Sequence, residues 1–193
     1  MGTPIGTDGS EFRDLKIVNV VASGVLGSGE IDTDELASEL SVEMTVLSGR
    51  LYLKPDNRST VAMVFRSGTY TIAGASSWSE VLEMVDWLSS TLRSVDAPVE
   101  PSKMEESIAV KYLVLTGELG ASLNLSAAII ALGMENSEYE PEQFPALIHR
   151  PEGSDCTVLL FSTGKITITG AQCVEHVHEV FQDLDDTLSE LLS

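Results

Sequence analysis

The chain has 193 residues, 43% of them hydrophobic, so it can bury one large core or two small ones. No stretch reaches the roughly 18 consecutive apolar residues of a membrane helix, and the N-terminus lacks the pattern of a signal peptide, so we expect an intracellular, cytoplasmic protein without membrane contacts. The 30 acidic and 11 basic residues give a formal net charge of -19, which by itself disfavours binding to a polyanion such as DNA.

The first part of the chain predicts an extension at residues 1–15 and then an α+β unit at residues 16–97. An apolar strand is followed by a short helix. Asp32 and Glu35 form a capping box at its start, and Leu36, Ala37 and Leu40 make up its apolar face. Alternating segments predict strands at 49–54, 60–66 and 69–73. A closing helix carries an apolar stripe of Trp78, Val81, Leu82, Val85, Leu88, Leu92 and Val95.

A connector at residues 98–108 leads to a second unit at 109–193 with the same order of elements. Its short helix, residues 125–132, is apolar on nearly every side and is expected to be the more buried of the two short helices. Strands are predicted at 146–150, 157–162 and 165–169. The closing helix carries a stripe of Val174, Val177, Phe181, Leu184, Leu188 and Leu191.

The two units are copies of one repeat. FRSGTYTIAGA (65–75) and FSTGKITITGA (161–171) share six of eleven residues at an offset of 161 − 65 = 96. KIVNVVASGVLG (16–27) and AVKYLVLTGELG (109–120) lie at an offset of 109 − 16 = 93, so the second copy contains a three-residue insertion. We predict an α+β fold in which two pseudo-symmetric halves form one antiparallel sheet, with helices on one face and the other face open for a ligand.

Catalytic and metal-binding functions have no support in the sequence. Cys156 and Cys173 have no CxxC spacing, which favours core thiols over a zinc site. A phosphate loop, a nucleophile elbow and paired catalytic carboxylates are also absent from the sequence, so neither an enzyme nor a cofactor is expected.

A family resemblance enters with EYEPEQFPALIHR (138–150) and VLLFSTGKITITGAQ (158–172). Both closely resemble the second repeat of archaeal TATA-box-binding proteins, and IVNVVAS (17–23) carries a weaker version of the first. The resemblance implies a curved, saddle-shaped sheet with helices on the convex face. It also implies transcription initiation by binding and bending the minor groove of promoter DNA. The acidic composition is then typical of a haloarchaeal paralogue that works in molar salt, where the Debye length is about 3 Å.

The second repeat matches the family's DNA-binding positions well. Phe144 and Phe161 match a pair of wedge phenylalanines, and Thr169 matches a threonine that bonds base acceptors. Arg150 and Lys165 match phosphate contacts. Val114 and Thr167 are assigned to the same DNA-binding face, although an apolar residue is usual at position 167.

The first repeat departs from the family pattern. Its matching positions are Asn19, Val21, Phe65 and Lys54, the last replacing an arginine. The partner of wedge Phe65 falls at Ser48, or at Leu47 if the loop is shifted by one, while Tyr112 replaces the second central asparagine and Ala73 the first-half threonine. Arg50, Arg58 and Arg66, with Lys54, either supply compensating phosphate contacts or form a solvated strand edge.

Partners also follow from the resemblance. Glu140, Glu142 and Gln143 lie in the second stirrup loop, to which transcription factor B binds in the family, whereas the first stirrup, residues 42–49, has lost this acidic pattern. The resemblance implies a nucleoid-associated factor that recruits transcription factor B and, indirectly, RNA polymerase. Two alternatives stay open: a regulator with weak DNA affinity that titrates transcription factor B, and a homodimer formed through the concave face without DNA.

Overall fold

The computed structural model describes residues 15–27 and 29–192, which divide into two compact units. The N-terminal unit is Asn19–Lys111, and the C-terminal unit is formed by residues 112–192 together with residues 15–18. Each unit contains five antiparallel strands and helices, as the predicted α+β class requires.

The N-terminal unit orders its strands β2-β3-β4-β5-β1. In chain order its elements are β1 (Lys16–Val25), α1 (Thr33–Glu39), β2 (Glu43–Leu47), β3 (Arg50–Lys54), β4 (Val61–Phe65), β5 (Thr69–Ala75), α2 (Trp78–Arg93) and α3 (Pro101–Ser107). Asp32 caps α1, as predicted, by accepting hydrogen bonds from the backbone N–H groups of Asp34 and Glu35. These two bonds also lower the pKa of the Asp32 carboxyl.

The C-terminal unit orders its strands β6-β10-β9-β8-β7. Its elements are β6 (Ala109–Glu118), α4 (Leu125–Leu132), β7 (Ser137–Glu138), β8 (Ala146–His149), β9 (Thr157–Phe161), β10 (Lys165–Thr169), α5 (Val174–Leu188) and a 3-10 turn at Ser189–Leu191. The six strands predicted after the short helices are found within two residues of their predicted bounds.

Equivalent hydrogen bonds in the two units confirm the repeat. Leu26 donates its backbone N–H to Gly68 at 2.8 Å, and Leu119 donates to Gly164 at 2.9 Å. The donors are 119 − 26 = 93 residues apart and the acceptors 164 − 68 = 96, the two offsets read from the sequence. A side chain at Gly68 or Gly164 would collide with a backbone oxygen about 2 Å away, so both turns require glycine.

One face of each sheet packs against helices and forms the core. In the N-terminal unit α2 packs on β5 and α3, and the buried strand residues include Leu51, Val64 and Ile72. Tyr70 is also fully buried, and its hydroxyl donates a hydrogen bond to the Met104 carbonyl at 2.7 Å, which joins the connector helix α3 to this core. Burial raises the pKa of Tyr70, so the phenol stays protonated as a donor.

The C-terminal core includes a buried polar pair at the edge of its sheet. His149 lies on the helix side of β8, and one of its ring nitrogens is 2.9 Å from the Ser137 hydroxyl on β7. Burial lowers the pKa of His149, and burial likewise lowers that of His178 on α5.

Helix α4 is the more buried of the two short helices, as predicted, since three of its eight residues are exposed against four of seven in α1, although Ile130 is 73% exposed. Three predictions about side-chain burial are wrong, those for Leu82, Phe181 and Cys173. Leu82 is exposed because it lies about 100° around the helix from buried Val81, and Val180 rather than Phe181 is buried for the same reason. Within the first stirrup, residues 42–49, five residues form the strand β2. Cys156 is buried as expected, but Cys173 is only half-buried.

Candidate nucleic-acid interface

The face of the C-terminal sheet that turns away from the helices is half-exposed. Strand pairing fixes its membership, because residues directly opposite each other on neighbouring strands point to the same side. It carries Val114, Thr116, Glu118, Ala146, Ile148, Thr157, Leu159, Phe161, Lys165, Thr167 and Thr169. Of the predicted DNA-binding residues, Val114, Phe161, Lys165, Thr167 and Thr169 therefore share one surface, which we call the C-terminal open face.

Phe161 lines a concave pocket of about 470 Å³ on this face. Thr116, Thr167, Lys165 and Pro145 also line the pocket. The neighbouring Phe144 lies just before β8, and its side chain is 40% exposed. A phenylalanine that remains this exposed contributes little to the core, so Phe144 is available for contact with a ligand.

Each cation at the C-terminal open face has an acidic residue beside it, and these acidic residues were not identified from the sequence. The Arg150 guanidinium is 2.9 Å from the Glu138 carboxylate, and both side chains are exposed. Lys165 lies directly opposite Glu118 across β10 and β6. The period-two pattern places Glu118 on this face, but only the strand register identifies its cross-strand neighbour.

The N-terminal unit has a corresponding half-exposed face, the N-terminal open face. Arg50, Tyr52 and Lys54 alternate along β3, and they lie beside Val61, Met63 and Phe65 on β4. Thr69, Thr71 and Ala73 follow on β5, and Ser23 follows on β1. Asn19 and Val21 precede Ser23 by four and two residues, so they are on the same side of β1, but only Asn19 is half-exposed, whereas Val21 is buried at 6% exposure.

Asn19 uses only part of its hydrogen-bonding capacity within the protein. Its side-chain oxygen accepts a 2.8 Å bond from the backbone N–H of Gly74, a residue with φ of 87° beside an irregularity in the β1–β5 pairing. With the oxygen fixed in this way, the side-chain NH2 group is left as a donor on the N-terminal open face. A positioned donor suits the acceptor-only pattern that A·T pairs show in the minor groove.

On the neighbouring strand β3, the residue opposite Phe65 is Arg50 and not a phenylalanine. The Arg50 guanidinium lies 5.5 Å from the centre of the Phe65 ring, within cation–π distance. Ser48 and Gly49 form a two-residue hairpin turn with positive φ at both positions, 52° and 71°. Ser48 therefore does not occupy a position like that of Phe144, which is preceded by a longer loop.

The other two predicted departures also lie near these faces. Tyr112 is 40% exposed, so its ring is accessible, and Ala73 on β5 offers no hydroxyl to a ligand. Arg58 forms a 2.9 Å ion pair with Glu83 of α2, and Arg66 is exposed just after β4. Of the four basic residues noted in this region, only Arg50 and Lys54 belong to the N-terminal open face.

The residues of the predicted partner loop are exposed. Glu140, Glu142 and Gln143 lie between β7 and β8, and the Gln143 amide donates a hydrogen bond to the Glu140 carboxylate. Backbone bonds from Gln143 and Phe144 to the Glu140 carbonyl, both 2.9 Å, give the loop a compact turn.

Within residues 15–27 and 29–192, no group of three or more His, Cys, Asp or Glu side chains could hold a metal ion. No helix in the described part of the chain is long and apolar enough to cross a bilayer.

Comparison with known proteins gives consistent matches over most of the chain. The family model described as "Transcription factor TFIID (or TATA-binding protein, TBP)" matches residues 14–95 and 107–191. The chain is 36% identical to a TATA-box-binding protein of Haloarcula marismortui over 93% of its length and 95% of that protein. It is 32% identical to TATA-box-binding protein C of Halobacterium salinarum, over 92% of its length and 99% of that protein.

A solved structure is similar as well. Methanococcus jannaschii TBP matches with a TM-score of 0.80 at 32% identity, covering 92% of this chain and 99% of that one. This similarity confirms the predicted fold class, the α+β saddle fold.

Proposed function

Because this chain belongs to the TATA-box-binding protein family of transcription factors, we propose that its two open faces bind the minor groove of TATA-like promoter DNA and bend it during transcription initiation. The observation that carries the proposal is the C-terminal open face. With Phe144 and Arg150, which flank β8, this face combines one exposed and one half-exposed phenylalanine, a row of threonines and two cations.

The C-terminal open face has the chemistry that minor-groove binding requires. Phe144 and Phe161 act as apolar wedges that partly unstack a base step and kink the duplex, a mode for which this family is the standard example. Thr169, Thr167 and Val114 contact base edges, where a surface with few charges accepts A·T pairs and excludes the guanine amino group. Arg150 and Lys165 bind phosphates.

The N-terminal open face contributes a weaker contact. Asn19 donates its free NH2 group to base acceptors, while Phe65 supplies most of the apolar contact, buried Val21 adds little, and Lys54 binds a phosphate. Ala73 removes one hydroxyl from this face, whereas Tyr112 adds bulk on β6 of the C-terminal unit. We therefore expect the two ends of the DNA site to be bound with unequal strength.

The exposed loop between β7 and β8 is the proposed partner surface. Glu140 and Glu142 present two carboxylates, and the Gln143 amide holds that of Glu140 in place. We propose that this loop binds transcription factor B, which in turn recruits RNA polymerase. Its exposed charges are suited to an interface that speeds association and selects a partner.

A second function has specific support. Glu118 and Glu138 lie beside the DNA-contacting cations Lys165 and Arg150, and the N-terminal hairpin carries no second wedge phenylalanine. These features favour a regulator that binds transcription factor B without binding promoters efficiently.

One experiment separates the two functions. Affinity and bending are measured with an end-labelled TATA duplex and a G·C-substituted control, with and without transcription factor B, from about 0.1 M to about 1 M salt, where the Debye length falls from about 10 Å to about 3 Å. Selective, bent binding supports the promoter factor. Binding to transcription factor B without selective DNA binding at any salt concentration supports the regulator instead.

A double substitution tests the partner loop separately from DNA binding. Glu140→Gln combined with Glu142→Gln should weaken binding of transcription factor B and leave DNA bending by the protein alone unchanged. Glu190→Gln, an exposed change near the C-terminus, should alter neither.

A further inference from the structure

The N-terminal open face carries a row of three side chains at its outer end. Leu47 lies opposite Arg50 across β2 and β3, and Arg50 lies opposite Phe65 across β3 and β4. Directly opposed residues share a face, so Leu47, Arg50 and Phe65 form one line on the surface proposed to meet DNA.

This row differs from the corresponding place in the C-terminal unit, where two phenylalanines, Phe144 and Phe161, are found. At the equivalent place in the C-terminal unit, Ala146 lies opposite Phe161, and Phe144 lies near the end of a loop of seven residues, 139–145. In the N-terminal unit Arg50 takes the place of Ala146, and a two-residue turn takes the place of that loop. The position of Ala146 therefore carries a long cationic side chain in the first repeat.

Arg50 is exposed, lies over an aromatic ring and is not neutralised. Its guanidinium carbon is 5.5 Å from the centre of the Phe65 ring, within cation–π distance, and it forms no ion pair with any residue of the described chain. Leu47, on its other side, is 59% exposed. A guanidinium that lies over an aromatic ring keeps N–H groups at its edges, so it can still donate hydrogen bonds to a ligand.

We infer that Leu47, Arg50 and Phe65 form a mixed DNA contact in which Arg50 enters the minor groove while it is supported by the Phe65 ring. The inference rests on the proposed promoter binding and deepens it. Arginine is attracted to a narrow minor groove by its enhanced negative potential. Leucine and phenylalanine supply limited apolar contact on either side. This end of the site is recognised mainly by charge and groove width, and the other end by wedging.

The test compares Arg50→Ala, which copies Ala146, with Arg50→Lys and with Arg93→Ala. Arg93 is an exposed arginine in the last turn of α2, so its removal changes the net charge equally without touching the open face. Each variant is titrated on two TATA duplexes that differ only at the end contacted by the N-terminal unit, one with an A-tract and one with mixed sequence. Circular dichroism and thermal unfolding verify the fold of every variant.

Arg50→Ala should bind roughly tenfold more weakly than wild type and lose its preference for the A-tract duplex. The slope of log affinity against log salt should become less negative, or more positive, by about 0.9, because one fewer cation displaces counterions. Arg50→Lys should keep the slope but lose part of the A-tract preference. Arg93→Ala should match wild type.

Two results would overturn the inference. If wild type binds and bends DNA while Arg50→Ala and Arg93→Ala behave alike, the mixed contact is wrong and the proposed function stands. If wild type shows no selective binding to DNA at any salt concentration, both the inference and the promoter function fail.

Discussion

Arg150 and Glu138 lie 2.9 Å apart on the surface that we propose for DNA, so a phosphate contact by Arg150 competes with an internal carboxylate. Removing that carboxylate should free the guanidinium. We predict that Glu138→Gln raises DNA affinity about threefold at low salt, and less at high salt, where both the ion pair and the general repulsion are screened.

Filter binding or fluorescence anisotropy across a salt series measures this gain. Glu190→Gln removes one negative charge away from the sheet and reports the effect of net charge alone. An equal gain in the two variants would mean that Glu138 acts only through the overall charge.

The Asn19 side chain can be tested by an isosteric change. Asn19→Asp keeps an oxygen for the Gly74 N–H, so the fold should be preserved. The change removes the NH2 donor and adds a negative charge, so DNA affinity should fall at least about tenfold. Asn124→Asp is the matched control, because Asn124 caps α4 through the same kind of oxygen and aspartate serves equally there. Retained affinity in Asn19→Asp would exclude a base contact by this residue.

The two repeats should differ in how much they bend DNA. We predict that Phe161→Ala reduces both affinity and the bend angle, whereas Phe65→Ala reduces affinity with a smaller change in bend, since Phe65 has a guanidinium rather than a second aromatic ring beside it. Fluorescence energy transfer between duplex ends measures the bend. Phe181→Ala, on the helix side, controls for loss of an aromatic ring. Unchanged bending by Phe161→Ala would mark Phe161 as a packing residue.

Buried histidines predict a pH dependence of stability. Because burial lowers the pKa of His149 in the folded state, the unfolded chain binds more protons as pH falls through the ordinary histidine pKa of about 6.5. The free energy of unfolding should therefore be largest above that pH and decrease between about pH 7.5 and about pH 5.5. Urea unfolding at constant salt measures it. His149→Gln should flatten the decrease, and an unchanged slope would assign it to other groups.

Removing the hydrogen bond from Tyr70 to Met104 should lower the stability of the fold. Tyr70→Phe leaves the buried Met104 carbonyl without this donor, so the free energy of unfolding should fall by about 1–3 kcal/mol. Tyr52→Phe, the same change at a half-exposed position of the N-terminal open face, should cost less than about 0.5 kcal/mol. Thermal or urea unfolding compares the two, and equal effects would show that the buried bond adds nothing.

Much of the fold could be predicted because the repeat and its strands can be recognised from short sequence segments. The offsets of 93 and 96, the turn glycines and the two-residue period of the strands place Phe161, Lys165 and Thr169 on one face without any structure. Cross-strand partners were not predictable, since the Glu138–Arg150 and Arg50–Phe65 contacts depend on register between separate strands. The apolar composition of α4 also does not identify its exposed side, where Ile130 lies, because packing neighbours and not hydrophobicity alone decide burial.

The two-residue turn at Ser48 and Gly49 limits which sequence changes could restore a second phenylalanine in the first repeat. A phenylalanine placed at Ser48 would have to adopt a left-handed backbone conformation that bulky residues avoid, so a single substitution does not recreate the second repeat's geometry. Recovery would require inserting several residues between β2 and β3. A return to symmetry thus needs a rare change in chain length, and a lineage that carries this hairpin is expected to keep its two halves unequal even as point mutations accumulate elsewhere.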